Sequence, residues 1–165
     1  MQKPNSVTVG IIVITLVIFG GIIMAASLSR GAPIARYKIG DLERPRLEIF
    51  EINFDFGAMT LADKRSKDIK ISNQGSKSLI ISELVTSCDC TFAEFIINGQ
   101  ASPLFSMRRD LEWRGEIAPA SAAILKIIYE PRIMPVQGKV KRDVVFKTND
   151  PENPLINVSF TADVR

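Results

Sequence analysis

Residues 155–164 read LINVSFTADV, and apolar and polar side chains alternate along the whole stretch. Successive side chains of a β-strand point to opposite faces, so a strict period of two predicts a strand with one buried and one solvated face. The chain is therefore expected to end in a strand that covers a hydrophobic core. The predicted inward face carries Ile156, Val158, Phe160, Ala162 and Val164, and the outward face carries Asn157, Ser159, Thr161 and Asp163.

The same period of two recurs between residues 50 and 148, and polar turns separate the alternating segments. NQGS at 73–76 and NDPENP at 149–154 are rich in the residues that favour turns. Short strands joined by such turns, without a helical pattern after residue 46, predict an all-β antiparallel sandwich. In the segment at 50–56, all four apolar side chains are predicted to face the core. The segments are FEINFDF (50–56), DIKIS (68–72), SLIISELV (78–85), SAAILKIIY (121–129) and KVKRDVVFKT (139–148).

A different pattern precedes the strands, because residues 7–26 read VTVGIIVITLVIFGGIIMAA without a charge between Lys3 and Arg30. A helix of about 20 apolar residues is roughly 30 Å long, which matches the hydrocarbon core of a bilayer. We interpret the run as an uncleaved transmembrane signal anchor. The alternatives are a cleaved signal peptide and a buried core helix. A signal peptide usually has a shorter apolar region, and a core helix of a soluble domain usually has one polar face.

The resulting organisation has four parts. A short head, residues 1–6, precedes the anchor at 7–26, and a juxtamembrane linker at 27–46 leads to a sandwich at 47–165. The lysine and arginine count around the anchor would place the C-terminal domain in the cytoplasm. Large domains, however, cross a membrane with little regard to charge. We therefore expect a single-pass protein of the plasma membrane with its C-terminal domain outside the cytoplasm.

Composition excludes several classes of function. The net charge is +3, from 21 basic and 18 acidic residues. Without a long basic run, binding to nucleic acid has no support. The sequence contains no histidine, which removes the commonest general base and the usual catalytic triads. No pair of carboxylates has a spacing typical of acid–base chemistry, so the protein is not expected to be an enzyme.

Cys88 and Cys90 are the two cysteines of the chain, and they follow a predicted strand directly. In an extended strand their Cα atoms would be about 6.5–7 Å apart, at the limit for a disulfide. Three interpretations stay open: packing in the core, a labile disulfide, and a Cu(I) site. Because Cu(I) accepts thiolate and thioether ligands, the copper interpretation adds Met107 and Met134 to the cysteines.

Residues 92–119 are long for a connection between strands, so we expect an excursion from the sandwich with a hairpin turn at Asn98-Gly99. The excursion could cover an open sheet edge or could contact a partner. In the second case its candidate contact patch consists of Trp113 and three arginines, namely Arg108, Arg109 and Arg114.

Four motifs occur in a specific order: FDFG (54–57), an N-x-G turn followed by a strand into TSCDCT (73–91), IAPA (117–120) and TNDP (148–151). This order resembles a bacterial family of unknown function, domain-of-unknown-function family 1573, over about residues 45–165. The resemblance implies an immunoglobulin-like sandwich of the Hydin, ASH and PapD type in an exported protein, and it implies no reaction. Asp89 and Ala120 stand where the family pattern has glycine.

The sequence thus predicts a membrane-anchored extracytoplasmic immunoglobulin-like module that acts by protein interaction or envelope scaffolding. Its expected partner is another envelope protein, and it needs no cofactor. The alternative is an envelope protein that binds Cu(I) or performs thiol redox chemistry through Cys88 and Cys90.

Overall fold

The computed structural model describes residues 5–28 and 34–165. The chain divides into two compact units, Met1–Ile34 and Ala35–Arg165. The first contains one helix, α1 (Ser6–Leu28), which includes the predicted apolar run. Over the described residues, no helix is long and apolar enough to cross a membrane. The membrane-spanning role of residues 7–26 stays a prediction.

The second unit is a sandwich of two five-stranded sheets, as the alternating pattern predicts. One sheet has the strand order β1-β3-β8-β5-β6, and the other has the order β2-β10-β9-β4-β7. The strands are β1 (Leu47–Ile49), β2 (Asn53–Met59), β3 (Arg65–Asn73), β4 (Leu79–Thr86), β5 (Thr91–Ile97), β6 (Gln100–Ala101), β7 (Arg114–Ile117), β8 (Ala122–Tyr129), β9 (Gly138–Thr148) and β10 (Leu155–Val164), with one turn of 3-10 helix at Pro131–Ile133.

The predicted inward face of β10 is confirmed, because all five of its side chains are buried. On the predicted outward face, Ser159 is buried as well, and its hydroxyl donates to the Asp143 carboxylate.

Strand β10 pairs antiparallel with β9 along its whole length and parallel with β2. The prediction that the whole sandwich is antiparallel was therefore wrong for this pair, because β2 joins the second sheet beside β10 after the chain has changed sheets. The Phe160 ring of β10 packs against Phe54, Phe56 and Tyr129, with ring centroids 5.0–5.4 Å apart. Aromatic rings at these separations add to the stabilisation from buried apolar area.

The segment at 50–56 does not form the predicted continuous strand. β1 belongs to one sheet and β2 to the other, so the chain changes sheets at residues 50–52. Phe50 is 84% exposed and Ile52 is also exposed, whereas Phe54 and Phe56 pack against the core. The prediction that all four side chains face inward was wrong, because the crossing between sheets interrupts the period of two.

The excursion from the sandwich is shorter than the predicted range of 92–119. Residues 92–97 lie in β5, which pairs with β8 over its whole length. Residues 114–117 form β7 at the edge of the other sheet, paired with β4. The connection outside these strands therefore runs from 98 to 113, and it begins at the predicted hairpin turn, where Asn98 and Gly99 have positive φ.

Two departures from the family pattern have different structural meanings. Ala120 has a φ of 54°, a left-handed conformation that glycine adopts without steric cost. Asp89 is not among the residues with positive φ. The positive φ at position 120 therefore explains why the pattern has glycine there, whereas the backbone at position 89 accepts a side chain.

Candidate functional site

The two cysteines lie in a four-residue turn between β4 and β5, residues 87–90, which we call the cysteine turn. The hydroxyl oxygen of Thr86 lies 2.9 Å from the carbonyl oxygens of both Cys88 and Thr91. The N–H of Thr91 also donates to the Cys88 carbonyl at 3.1 Å. The two ends of the turn are therefore joined by hydrogen bonds that do not involve sulfur.

The structure joins Cys88 and Cys90 through their sulfur atoms, with the Cα atoms 5.2 Å apart. The spacing expected for an extended strand was too long, because both residues lie beyond the end of β4 and the turn shortens their separation. Cys88 is 5% exposed and Cys90 is 0% exposed. The pair is therefore a compact, buried sulfur site at the end of a strand.

Strand β9 supports the cysteine turn from the other side. Ser87 N–H donates to the Asp143 carbonyl, and Asp143 N–H donates to the Ser87 hydroxyl, each at 2.9 Å. On the same strand, Nε of Arg142 donates to Sγ of Cys90 at 3.5 Å. Sequence analysis missed Arg142, since its position depends on how β9 aligns with a turn more than 50 residues earlier.

The methionines of the copper interpretation do not share the environment of the cysteines. Met107 and Met134 are both exposed, whereas Cys88 and Cys90 are buried and bonded to each other. Bonded sulfurs offer no thiolate to Cu(I). Within residues 5–28 and 34–165, no group of three or more histidine, cysteine or acidic side chains could hold a metal ion. The copper interpretation thus gains no support.

A groove of about 740 Å³ lies beside the cysteine turn. Its apolar lining includes Leu104, which is 54% exposed, and Leu111, which is 63% exposed. Exposed leucines that share a groove are a typical feature of interaction sites. The groove is lined by Asp89, residues 103–106 and residues 108–112.

The groove rests on two aromatic side chains that fix the connection at 98–113 to the sandwich. Phe105 is buried and exchanges two backbone hydrogen bonds with Ala93 of β5, at 3.0 and 2.8 Å. The Trp113 ring stacks on Phe95, with centroids 6.0 Å apart, and meets the Phe105 ring edge-on at 5.1 Å. Gly115 leaves room for this ring, because a Cβ there would lie 2.7 Å from Trp113.

The charged side chains of the groove differ in their bonding. Arg109 pairs with Glu83 at 3.4 Å. The Asp110 carboxylate accepts the N–H groups of Trp113 and Glu112 at 3.0 and 2.8 Å. These backbone hydrogen bonds, that from Trp113 foremost, lower the pKa of Asp110 below its usual value. Asp110 thus stays ionised and shapes the local backbone.

The predicted contact patch is divided by the structure. Arg108 and Arg109 line the groove and are exposed. Trp113 is half-buried and packs toward the core, so it supports the groove from below. Arg114 lines a separate depression of about 230 Å³ between β5 and β7. Leu104 and Leu111, which sequence analysis missed, complete the surface beside the two arginines.

Solved structures with a similar fold define the class of the second unit. A protein of unknown function from Porphyromonas gingivalis W83 aligns with a TM-score of 0.57 and 20% identity, over 74% of this chain and 48% of that one. The ASH/PapD-like domain 7 of human CEP192 aligns with a TM-score of 0.50 and 10% identity, over 82% of this chain and 97% of that one. The fold is therefore an immunoglobulin-like sandwich of the ASH and PapD type.

The family resemblance is confirmed for part of the sandwich. Residues 47–101 match the family described as "Protein of unknown function (DUF1573)". No curated protein matches the sequence. The chain spans about half the length of the Porphyromonas gingivalis protein. At these identities the structural likeness defines the fold alone, so the function has to be argued from the site.

Proposed function

We propose that the protein is an interaction module that binds a polypeptide segment in the groove beside the cysteine turn. The observation that carries the proposal is the pair of exposed leucines, Leu104 and Leu111, on a connection anchored by the rings of Phe105 and Trp113. A rigid base lowers the entropic cost of binding, because the contact residues are already ordered. The immunoglobulin-like fold commonly carries such sites in the loops at its ends.

The proposed occupant is a short segment with apolar side chains beside an acidic one. Leu104 and Leu111 would bury the apolar side chains. Arg109 already pairs with Glu83, whereas Arg108 forms no ion pair among residues 5–28 and 34–165. Arg108 would therefore take the acidic side chain, since a guanidinium binds a carboxylate through two hydrogen bonds.

The binding test uses selection of displayed 12-residue peptides on the purified full-length protein. We expect wild type to enrich peptides that combine apolar and acidic residues. Leu104→Asp and Arg108→Glu should each raise the Kd of an enriched peptide about tenfold, which corresponds to a loss of about 1.4 kcal/mol of binding free energy. Leu155→Asp is the matched control, because Leu155 is comparably exposed (59%) but does not line the groove. Binding that is unchanged in both groove variants would exclude this surface.

We further propose that the module is anchored in the plasma membrane and lies outside the cytoplasm. The support is the uncharged run at 7–26, together with the exposed apolar side chains from Val9 to Ile22. The bond between Cys88 and Cys90 is typical of an oxidising compartment. The proposed partner is accordingly another protein of the cell envelope.

The anchor has its own test in living bacteria. A fusion of alkaline phosphatase to the C-terminus should be active, because this enzyme folds only outside the reducing cytoplasm. The protein should also stay with membranes after extraction at alkaline pH, and deletion of residues 7–26 should abolish both properties. A full-length protein that extraction releases would contradict the anchor without affecting the groove.

A further inference from the structure

The two sulfurs of the cysteine turn have different electrostatic surroundings. Cys90 Sγ accepts a hydrogen bond from the cationic Arg142 side chain at 3.5 Å. Cys88 Sγ has neutral donors instead, the Cys90 N–H at 3.0 Å and the Thr91 hydroxyl at 3.9 Å. A neighbouring guanidinium favours a thiolate over a thiol. The environment therefore stabilises negative charge on Cys90 more than on Cys88.

The two cysteines also differ in their exposure to solvent. Cys90 is fully buried, whereas Cys88 retains 5% exposure and lies between two exposed residues, Ser87 and Asp89. An incoming thiol therefore reaches Cys88 with the smaller local displacement. The more exposed cysteine and the cysteine beside a cation are therefore different residues. This arrangement favours thiol–disulfide exchange, because its rate increases with access to the attacked sulfur and with the stability of the leaving thiolate.

The sulfur–sulfur bond is not needed to hold the turn. The Thr86 hydroxyl, the Thr91 N–H and the paired hydrogen bonds between Ser87 and Asp143 fix the same backbone. A bond between residues two positions apart also restricts the unfolded chain least, since this effect grows with the length of the closed loop. Opening the bond would therefore leave the sandwich folded.

We propose that Cys88 and Cys90 form a thiol–disulfide exchange site whose co-substrate is a low-molecular-weight or peptidyl thiol. The incoming thiolate attacks Cys88 Sγ and forms a mixed disulfide, while the bond to Cys90 breaks and its electron pair leaves as the Cys90 thiolate beside Arg142. A second thiolate then attacks the mixed disulfide. It releases the oxidised co-substrate and leaves Cys88 and Cys90 reduced, so two electrons pass from two thiols to the protein.

The first test uses glutathione as the probe with the full-length chain, which contains no other cysteines. Reduced glutathione should open the bond while circular dichroism stays native, and oxidised glutathione should restore it. In Cys90→Ser, oxidised glutathione should attach to Cys88. In Cys88→Ser, it should attach to the buried Cys90 at least tenfold more slowly. Mass spectrometry measures each species.

The second test examines Arg142 through the pH profile of the exchange. Arg142→Gln should slow opening at pH 7 about tenfold and move the pH midpoint of alkylation of the reduced cysteines upward. Lys141→Gln is the matched control, because it removes the same charge from the neighbouring exposed position of β9. Equal profiles for the two variants, free thiols in the air-oxidised protein, or opening only under denaturing conditions would each overturn the proposal. None of these results bears on peptide binding in the groove.

Discussion

Replacing Asp150 with alanine is expected to lower the free energy of unfolding by about 3 kcal/mol. The Asp150 side chain is 1% exposed and accepts hydrogen bonds from the Arg44 guanidinium at 3.0 Å and the Leu47 N–H at 2.9 Å. Asn153 Nδ2 and the Glu152 N–H also donate to it, at 2.9 and 3.1 Å. Alanine leaves all four donors without this acceptor. Glu152, which also pairs with Arg44, limits the loss.

Urea denaturation followed by tryptophan fluorescence measures the effect, and Asp163→Ala provides the comparison. Asp163 pairs with Arg165 at 2.9 Å on the surface, where an ion pair contributes about 0–1 kcal/mol. Asp150→Asn keeps one acceptor oxygen and should fall between the two variants, which preserves the test if Asp150→Ala does not fold. Equal stability of Asp150→Ala and Asp163→Ala would contradict the role of burial.

The contribution of the Arg44 pair can be separated from the other hydrogen bonds of Asp150. Removing both partners of a buried ion pair costs less than the sum of the single removals, because no uncompensated charge remains. The double variant Arg44→Met/Asp150→Ala should therefore lose less free energy of unfolding than the sum of the losses in the two single variants. Simple additivity would show that the Leu47 N–H and the turn, rather than the ion pair, account for the effect.

Three sequence motifs of the resemblance, the N-x-G turn, IAPA and TNDP, meet at one place in the fold. The side chain of Asn73, from the N-x-G turn, accepts the N–H groups of Arg46 and Gly75 at 3.2 and 3.0 Å. It donates to the carbonyls of Lys77 and Ile117 at 2.8 and 3.0 Å. Asp150 of the TNDP turn holds the adjoining residues 44 and 47. The motifs therefore identify a fold because they fix the entry of the chain into the sandwich.

Local patterns predicted what depends on local chemistry. β10, the hairpin turn at Asn98-Gly99 and the Asp150 turn follow from alternation and turn preference in their own residues. The change of sheet at residues 50–52 does not follow from local sequence, because it depends on which sheet has a free edge beside β10. The outward position of Phe50 and the inclusion of residues 92–97 in a sheet are decided by pairing between distant strands.

The candidate site was predicted less completely than the fold, for the same physical reason. The cysteines and the arginines of the excursion are visible in the sequence as residue types. Their partners are not, because Arg142 reaches Cys90 across strands and Phe105 and Trp113 reach β5 through tertiary packing. A pattern of period two also cannot distinguish Leu104 and Leu111 at a groove from leucines in a core.

Replacing Gly75 with alanine is expected to cost about 3 kcal/mol, through a close approach of two backbones rather than through φ. Gly75 is not among the glycines with positive φ, so its backbone conformation alone does not require glycine. A Cβ at Gly75 would overlap the carbonyl oxygen of Arg44 and lie 2.5 Å from the backbone nitrogen of Arg46. These atoms belong to backbone and cannot rotate away, so the turn and the entering chain would separate.

Separation would break the hydrogen bonds on both sides of Gly75, from Gln74 N–H to the Arg46 carbonyl at 2.8 Å and from Ser76 N–H to the Arg44 carbonyl at 3.1 Å. Gly99→Ala is the control, since Gly99 has a φ of 78° but nothing within 4 Å of its added Cβ. Its cost should be the conformational one alone, about 1 kcal/mol. If urea denaturation gave the two variants the same stability, the close approach of residues 44–46 would not explain the glycine of the N-x-G turn.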